Sequence, residues 1–190
     1  IDAHFPGWFT GYTFIEQAVA DAVANPRVKG IVLDVNSGGG MVSGAFETAE
    51  FIRQAAAIKP IVSIVDASAY SAAYLLASQT DRIFVSKSGG VGSIGVVTMH
   101  VDMSSALEQD GYKVEMLYKG AAKVDGNPYE ALSEDARKRI MDRLQVSYDL
   151  FVNAVAVGRG IDVEAVVNTE AGLFQGEQAA EVNLVDTVMN

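Results

Sequence analysis

The chain has 190 residues, 49% of them hydrophobic and 20% charged, the balance of a sequence that buries a core rather than of a disordered segment. Its formal net charge of −10 repels nucleic acid and anionic membrane surfaces, so neither is expected as a partner. The absence of cysteine excludes disulfides, thiol catalysis and thiolate metal sites and fits a reducing cytoplasm; no run approaches about 18 uninterrupted apolar residues, no signal peptide is recognisable, and Ile1 in place of Met fits a fragment or a processed product.

Strand and helix patterns alternate along the chain. Helical spacing over residues 14–24 puts Ile15, Val19 and Val23 on one stripe, and Asn25-Pro26 ends that helix. Gly30 to Val35 is almost wholly apolar, as in a strand buried on both faces, and Asn36-Ser37-Gly38-Gly39-Gly40 is a turn. A helix over 43–57 stops at Lys59-Pro60, a strand over Ile61 to Val65 follows, and Asp66 to Tyr70 reads as a loop. A helix of small residues starts at Ser71, then a strand over Arg82 to Val85 and a flexible glycine-rich segment over Gly89 to Gly95. Ile94 to Met99 and Lys113 to Tyr118 read as strands flanking a helix over 103–110. The longest helix is expected over 133–157, with Ser133 as N-cap and Glu134 and Asp135 in its first turn. Shorter helical pieces cover 161–167 and 176–182. Repeated β-α units of this kind indicate one α/β domain with no linker that would split it.

Three segments carry possible chemistry. The glycine turn leaves backbone N–H groups free of side chains, as an oxyanion hole requires. Gly38-x-Gly40-x-x-Ser43 also nearly copies a dinucleotide fingerprint, with Asp66 as a ribose-binding acid, and a plain tight turn is the third reading. Ser71, at a helix start, is either a nucleophile beside free helix N–H groups or an ordinary N-cap, with Ser68 the other candidate. For the base, Lys123 lies in the Gly/Ala loop Gly120 to Pro128, whose apolar setting would disfavour the charged amine, and the Ser93 hydroxyl could orient that amine. Ser71, His100 and Asp102 form a rival triad, helped slightly because i and i+2 of a strand point the same way. No metal-ligand cluster stands out.

In four segments taken in order the chain resembles the signal peptide peptidase A type of serine peptidase, which has the Clp protease/crotonase fold. The segments are Ile31 to Gly40, Ser71 to Asp81, Val91-Gly92-Ser93-Ile94-Gly95-Val96, and Gly120 to Pro128. Gly38 stands where the family usually has Pro. Gly39-Gly40-Met41-Val42-x-Gly44-Ala45-Phe46 and Ala122-Lys123-Val124-Asp125-Gly126-Asn127-Pro128-Tyr129 are similar to the phage head maturation proteases within that family. The resemblance covers roughly residues 12–188. It implies an α/β fold, Ser71 as nucleophile, Lys123 as general base, Ser93 supporting the lysine, and an oxyanion hole from the N–H groups of Gly40 and Ala72, with Gly39 as the alternative to Gly40. It further implies a homo-oligomer that needs no cofactor or metal and acts on scaffold, capsid or portal proteins in the prohead, in the host cytoplasm. Such phage proteins often carry a C-terminal scaffolding region, which is expected to be absent from this chain ending at Asn190, and the family's first strand is expected to be shortened here. The alternatives are a bacterial-type peptidase that degrades signal peptides, a catalytically silent assembly module of the same fold, and a nucleotide-binding domain.

Overall fold

Short apolar runs separated by helix-length stretches form parallel strands, because a parallel neighbour is reached only through a crossover. A computed structural model describes residues 10–189. In chain order the elements are α1 (Tyr12–Ala24), β1 (Ile31–Asp34), α2 (Ala45–Ala56), β2 (Ile61–Val65), β3 (Ser68–Tyr70), α3 (Ala72–Ala77), β4 (Arg82–Ser86) and β5 (Gly90–Gly92). There follow α4 (Ser104–Gln109), α5 (Glu134–Arg159), α6 (Val163–Val167), β6 (Leu173–Gln175), α7 (Glu177–Glu181) and β7 (Thr187–Met189). They fall into two units, one formed by the chain up to Gly95 together with Asp149 onward, the other by Val96–Tyr148.

The first unit is built on a parallel sheet in the order β1-β2-β4-β7. Ile61 and Val65 of β2 and Ile83 and Val85 of β4 are fully buried. Val32 of β1 is 58% exposed. That corrects the expectation of a strand buried on both faces: among the described residues β1 is the edge of its sheet. Val19 of α1, Ala55 of α2 and Ile61 form a core cluster, with Ile15, Val23 and Phe51 packed against it. Lys59, just past α2, donates from Nζ to the carbonyls of Ala22 (2.9 Å) and Asn25 (2.6 Å), satisfying the open C-terminal end of α1.

One device recurs where the sheet gains a strand. Asp81, immediately before β4, donates its N–H to the Ile61 carbonyl (2.8 Å) and accepts the Ile61 N–H on its carboxylate (2.7 Å). Asp186, immediately before β7, makes the same pair of bonds with Ile83, at 3.0 and 2.7 Å. Each aspartate therefore pins the start of a strand to the strand beside it.

A smaller sheet, in the order β3-β5-β6, pairs β3 with β5 in parallel and β5 with β6 antiparallel. The sequence read β3 as a loop and the glycine-rich segment as flexible. Gly90 and Gly92 instead flank the fully buried Val91 in the central strand. Close packing accounts for the composition: a Cβ on Gly90 would collide with the Tyr70 hydroxyl. β6 and β7 were not anticipated, since three-residue strands leave no periodic signal.

The six residues of α3 are all buried. The Tyr74 hydroxyl donates to the Leu184 carbonyl (2.8 Å), and burial pushes this phenol far above its ordinary pKa, so it stays a neutral donor. Of the second half of α5, Phe151, Val152, Val155 and Ala156 are buried, while Leu150 and Val157 are exposed.

In the second unit, Ser133 caps α5 as expected, its Oγ accepting the Ala136 N–H (3.2 Å). Asp125 takes two bonds from the Arg139 guanidinium, at 2.6 and 2.8 Å. The strands expected over Ile94 to Met99 and Lys113 to Tyr118 do not form; neither stretch joins a ladder among the described residues, and Val97, Met99 and Leu117 are exposed. Apolar alternation favours a strand but cannot supply the neighbour that a ladder needs.

Burial alone would raise the Asp186 pKa, yet the Arg159 guanidinium (2.9 Å) and the Ile83 N–H outweigh it and hold the carboxyl below its ordinary range. A carboxyl depressed in the folded state stabilises fully above its unfolded pKa and loses that contribution as pH falls through the folded value. Asp186→Ala should cost about 1–3 kcal/mol at neutral pH by leaving the Ile83 N–H unmet. Urea midpoints measured against pH should show the gap between parent and variant closing below about pH 4. A gap constant down to the acid limit would refute the clamp.

Candidate active site

β1 runs into the glycine turn, and the turn is laid against the strand that delivers Ser71. The Ser37 N–H donates to the Ser68 carbonyl (2.8 Å) and the Ser37 carbonyl accepts the Tyr70 N–H (3.0 Å). After Tyr70 the chain bends at Ser71, at φ 52 and ψ −126, before α3 begins. An L-residue is strained there and persists only where its surroundings hold it. The Ser71 N–H donates to the Gly92 carbonyl and the Leu75 N–H to the Ser71 carbonyl, both at 2.9 Å. The Ser71 hydroxyl makes no capping bond to α3, so the ordinary N-cap reading does not describe this residue. Ser68 sits inside β3, paired with Gly90, its hydroxyl on Asn36 Oδ1 at 3.2 Å.

Gly39 touches the serine. It adopts φ +121, and a Cβ there would lie 2.8 Å from Ser71 Cβ and 3.1 Å from the Tyr70 carbonyl. Its N–H is taken by Ser37 Oγ at 3.1 Å. By contrast, the N–H groups of Gly40 and of Ala72, the first residue of α3, have no hydrogen-bond partner among the described residues. α2 starts only at Ala45. The turn glycines therefore do not open a helix, as a dinucleotide fingerprint requires.

Ser93 stands beside Ser71. Tyr70 of β3 is in register with Gly92 of β5, so the next residue of each strand leaves the sheet at the same level. Ser93 also has a positive φ, 54°, and its N–H donates to the Gly172 carbonyl (2.9 Å). Ser71, Ala72, Gly39, Gly40 and Ser93 are thus gathered within the first unit.

Lys123 belongs to the second unit, in a turn closed by its own N–H on the Gly120 carbonyl (3.0 Å). Ala121, Ala122 and Lys123 are all exposed, so this loop does not give the lysine the apolar setting read from its neighbours. In the same unit both ring nitrogens of His100 are buried without a hydrogen-bond partner among the described residues. Asp102 does not orient that ring; its carboxylate accepts the Ser104 N–H (2.9 Å), and hydrogen bonds from Ser104 hold it below its usual range. The His–Asp couple of the rival triad is therefore not made. No three His, Cys, Asp or Glu among the described residues cluster to hold a metal.

Two residues escaped the sequence reading. Ser37 grips the turn from one side, and Tyr12 of α1 holds its far end, the hydroxyl donating to the Met41 carbonyl at 2.7 Å. The Tyr12 bond spans 29 residues and leaves no local signal, whereas the Ser37 hydroxyl on Gly39 is a two-residue serine turn that the Ser-Gly-Gly pattern permits.

The site thus consists of a strained serine at a strand-to-helix bend on an α/β scaffold of parallel strands. The chain belongs to peptidase family S49, whose model matches residues 53–190, and the Clp protease/crotonase-type architecture implied by the resemblance is borne out. It is 37% identical to Capsid assembly protease C of Escherichia phage lambda over 181 residues, 95% of this chain and 41% of that protein. To Head-tail preconnector protein GP5 of Enterobacteria phage P21 it is 38% identical, again over 95% of this chain and over 36% of that protein. A protein of Enterococcus faecium provisionally named signal peptide peptidase SppA is 37% identical over 85% of this chain and 47% of its own length. The chain thus spans less than half the length of each of these relatives.

The two central glycines should respond oppositely to a methyl group. Gly38 lies outside the left-handed region with nothing within 4 Å of a Cβ, so Gly38→Ala should stabilise by about 0.4–1 kcal/mol through the unfolded state. Gly39→Ala should destabilise by about 1–3 kcal/mol from backbone strain alone, and the clash with Ser71 adds to it. Chemical denaturation of both variants checks this; equal midpoints would contradict the close approach.

Proposed function

We propose that this chain is a serine endopeptidase of phage head maturation, acting on scaffold, capsid or portal proteins in the prohead within the host cytoplasm. The observation that carries the reading is the Ser71 bend, which frees the hydroxyl from capping and sets it against Gly39 beside two unengaged N–H groups. The names of the two phage relatives, a capsid assembly protease and a head-tail preconnector protein, supply the setting.

The Ser71 hydroxyl oxygen attacks the scissile carbonyl carbon as its proton passes to the Lys123 amine, whose orientation the Ser93 hydroxyl supports. Negative charge on the former carbonyl oxygen is received by the Gly40 and Ala72 N–H groups. Collapse of this intermediate breaks the peptide bond, and the leaving amine takes the proton from Lys123. Water then attacks the Ser71 ester with Lys123 again as base, releasing the acid product and restoring the serine. The steps need no cofactor. A second reading, degradation of signal peptides, is favoured by the similarity to the Enterococcus faecium protein. Incubating the chain with phage scaffold and with signal peptides, followed by mass spectrometry, decides between them.

Ser71→Ala and Lys123→Ala should each abolish cleavage in a folded protein, while His100→Ala keeps most activity. A dead His100→Ala beside an active Lys123→Ala would reverse the choice of base, and self-cleavage by folded Ser71→Ala would move the nucleophile to Ser68.

The active form is proposed to be a homo-oligomer. Lys123 is exposed in the single chain, and a lysine acts as a base only when its charged form is disfavoured, which a neighbouring copy can achieve by excluding water. Leu150 and Val157, exposed and seven residues apart on α5, share a helix face that such a neighbour would cover. Light scattering paired with an activity assay should find cleavage only in the assembled species; a monomer cleaving at full rate would refute this.

A further inference from the structure

We infer that Ser37 is a positioning residue for peptide-bond cleavage: its hydroxyl sets the plane of the Gly39–Gly40 peptide so that the Gly40 N–H faces the substrate carbonyl. The inference rests on the proposed role of Gly40 as oxyanion donor and names the group that makes it one.

Ser37 Oγ makes two bonds to the same residue. It accepts the Gly39 N–H at 3.1 Å and donates to the Gly39 carbonyl at 3.2 Å. The Gly39 carbonyl and the Gly40 N–H belong to one planar, trans peptide unit, so they point in opposite directions. Fixing the carbonyl inward on Ser37 therefore turns the Gly40 N–H outward. Rotation of that unit by half a turn would present a carbonyl oxygen to a developing oxyanion, exchanging attraction for repulsion.

The composition of the turn makes the unit easy to rotate. It lies within three consecutive glycines, which rotate more freely than any other residues. Gly38 has open space where a side chain would stand. Downstream, the Tyr12 hydroxyl holds the Met41 carbonyl, which lies in the Met41–Val42 peptide, two units beyond the one in question. Ser37 itself is fixed, because both its N–H and its carbonyl are bonded to the strand that delivers Ser71. The hydroxyl thus rides on a rigid platform shared with Ser71 and transmits that rigidity to the glycine turn. Removing it leaves the main-chain anchors of Ser37 in place, so fold and alignment can be separated.

The test uses the full chain with Ser37→Ala, Ser37→Thr, Ser37→Cys and, as reference, Ser71→Ala. Each is assayed for kcat and KM on a peptide that the parent cleaves. Each is also assayed for affinity toward a peptide aldehyde, which traps the serine as a tetrahedral adduct, and toward the unreactive product peptide. Ser37→Ala should lower kcat about 10- to 100-fold, less than outright loss of an oxyanion donor, with KM changed less than about twofold. Affinity for the aldehyde should fall by the same factor as kcat while affinity for the product peptide holds. Ser37→Thr, which keeps the hydroxyl, should recover most of the loss, and Ser37→Cys should fall between Thr and Ala. If Ser37→Ala does not fold, the order Thr above Cys still carries the inference. Parent-like kcat in Ser37→Ala or Ser37→Cys would overturn it. So would a loss shared equally by kcat, product affinity and melting temperature without rescue by Thr. If folded Ser71→Ala still cleaves, the reading of the site has failed; if Ser71→Ala is dead while Ser37→Ala is fully active, only the positioning role has failed.

Discussion

The candidate site in the first unit depends on holding Ser71 in a backbone conformation that serine does not choose. At φ 52 the residue carries a strain of roughly 1–3 kcal/mol, which must be offset by whatever surrounds it. Two hydrogen bonds do this directly, one donated by the Ser71 N–H to the Gly92 carbonyl at the end of β5 and one received by the Ser71 carbonyl from the Leu75 N–H in α3. The small sheet then has a clear purpose. β3 and β5 must be adjacent and parallel for the Gly92 carbonyl to meet the Ser71 N–H, and β6 closes the other side of β5. α3 must begin at the next residue for Leu75 to reach back. The glycine turn must contribute a residue without a side chain where it passes Ser71.

The same constraint explains why the neighbourhood is rich in small residues. A strand with glycine at Gly90 and Gly92, a turn of three glycines, and a helix opening on Ala72 and Ala73 look like weak structure when read one residue at a time. Together they bring main chain close to main chain around one side chain. The first N–H of any α-helix lacks an intrahelical partner, and in α3 that N–H belongs to Ala72, the residue immediately after the bend.

What the sequence made legible follows the same division. α1, α2 and α5 were readable because apolar residues recur at helical spacing, and β2 and β4 because buried parallel strands are continuous apolar runs. β3 and β5 were not, because their residues are small or polar and their stability comes from close approach of backbones. Ser71, Gly40, Ala72 and Ser93 could be nominated from residue type and position within motifs. Ser37 was not among them: its bonds to Gly39 are local, but its anchoring through the Ser68 carbonyl and Tyr70 N–H exists only after the turn is laid against β3. The setting of Lys123 was misread for a simple reason: alanine and glycine neighbours along a chain do not bury a side chain when the loop turns it outward.

The paired aspartate clamps have a temporal side. Asp81 joins β4 to a strand residue only 20 positions earlier, whereas Asp186 must find Ile83 across 103. On a growing chain β1, β2 and β4 can therefore assemble early, while the far side of β4 waits for β7. At roughly 5–20 residues per second that interval lasts about 5–20 s. An open strand edge is a template for any passing strand, and nearby ribosomes on one message would offer identical ones. Asp186 thus acts as a late lock: its carboxylate recognises the Ile83 N–H of its own chain, and until it arrives nascent copies can exchange strands.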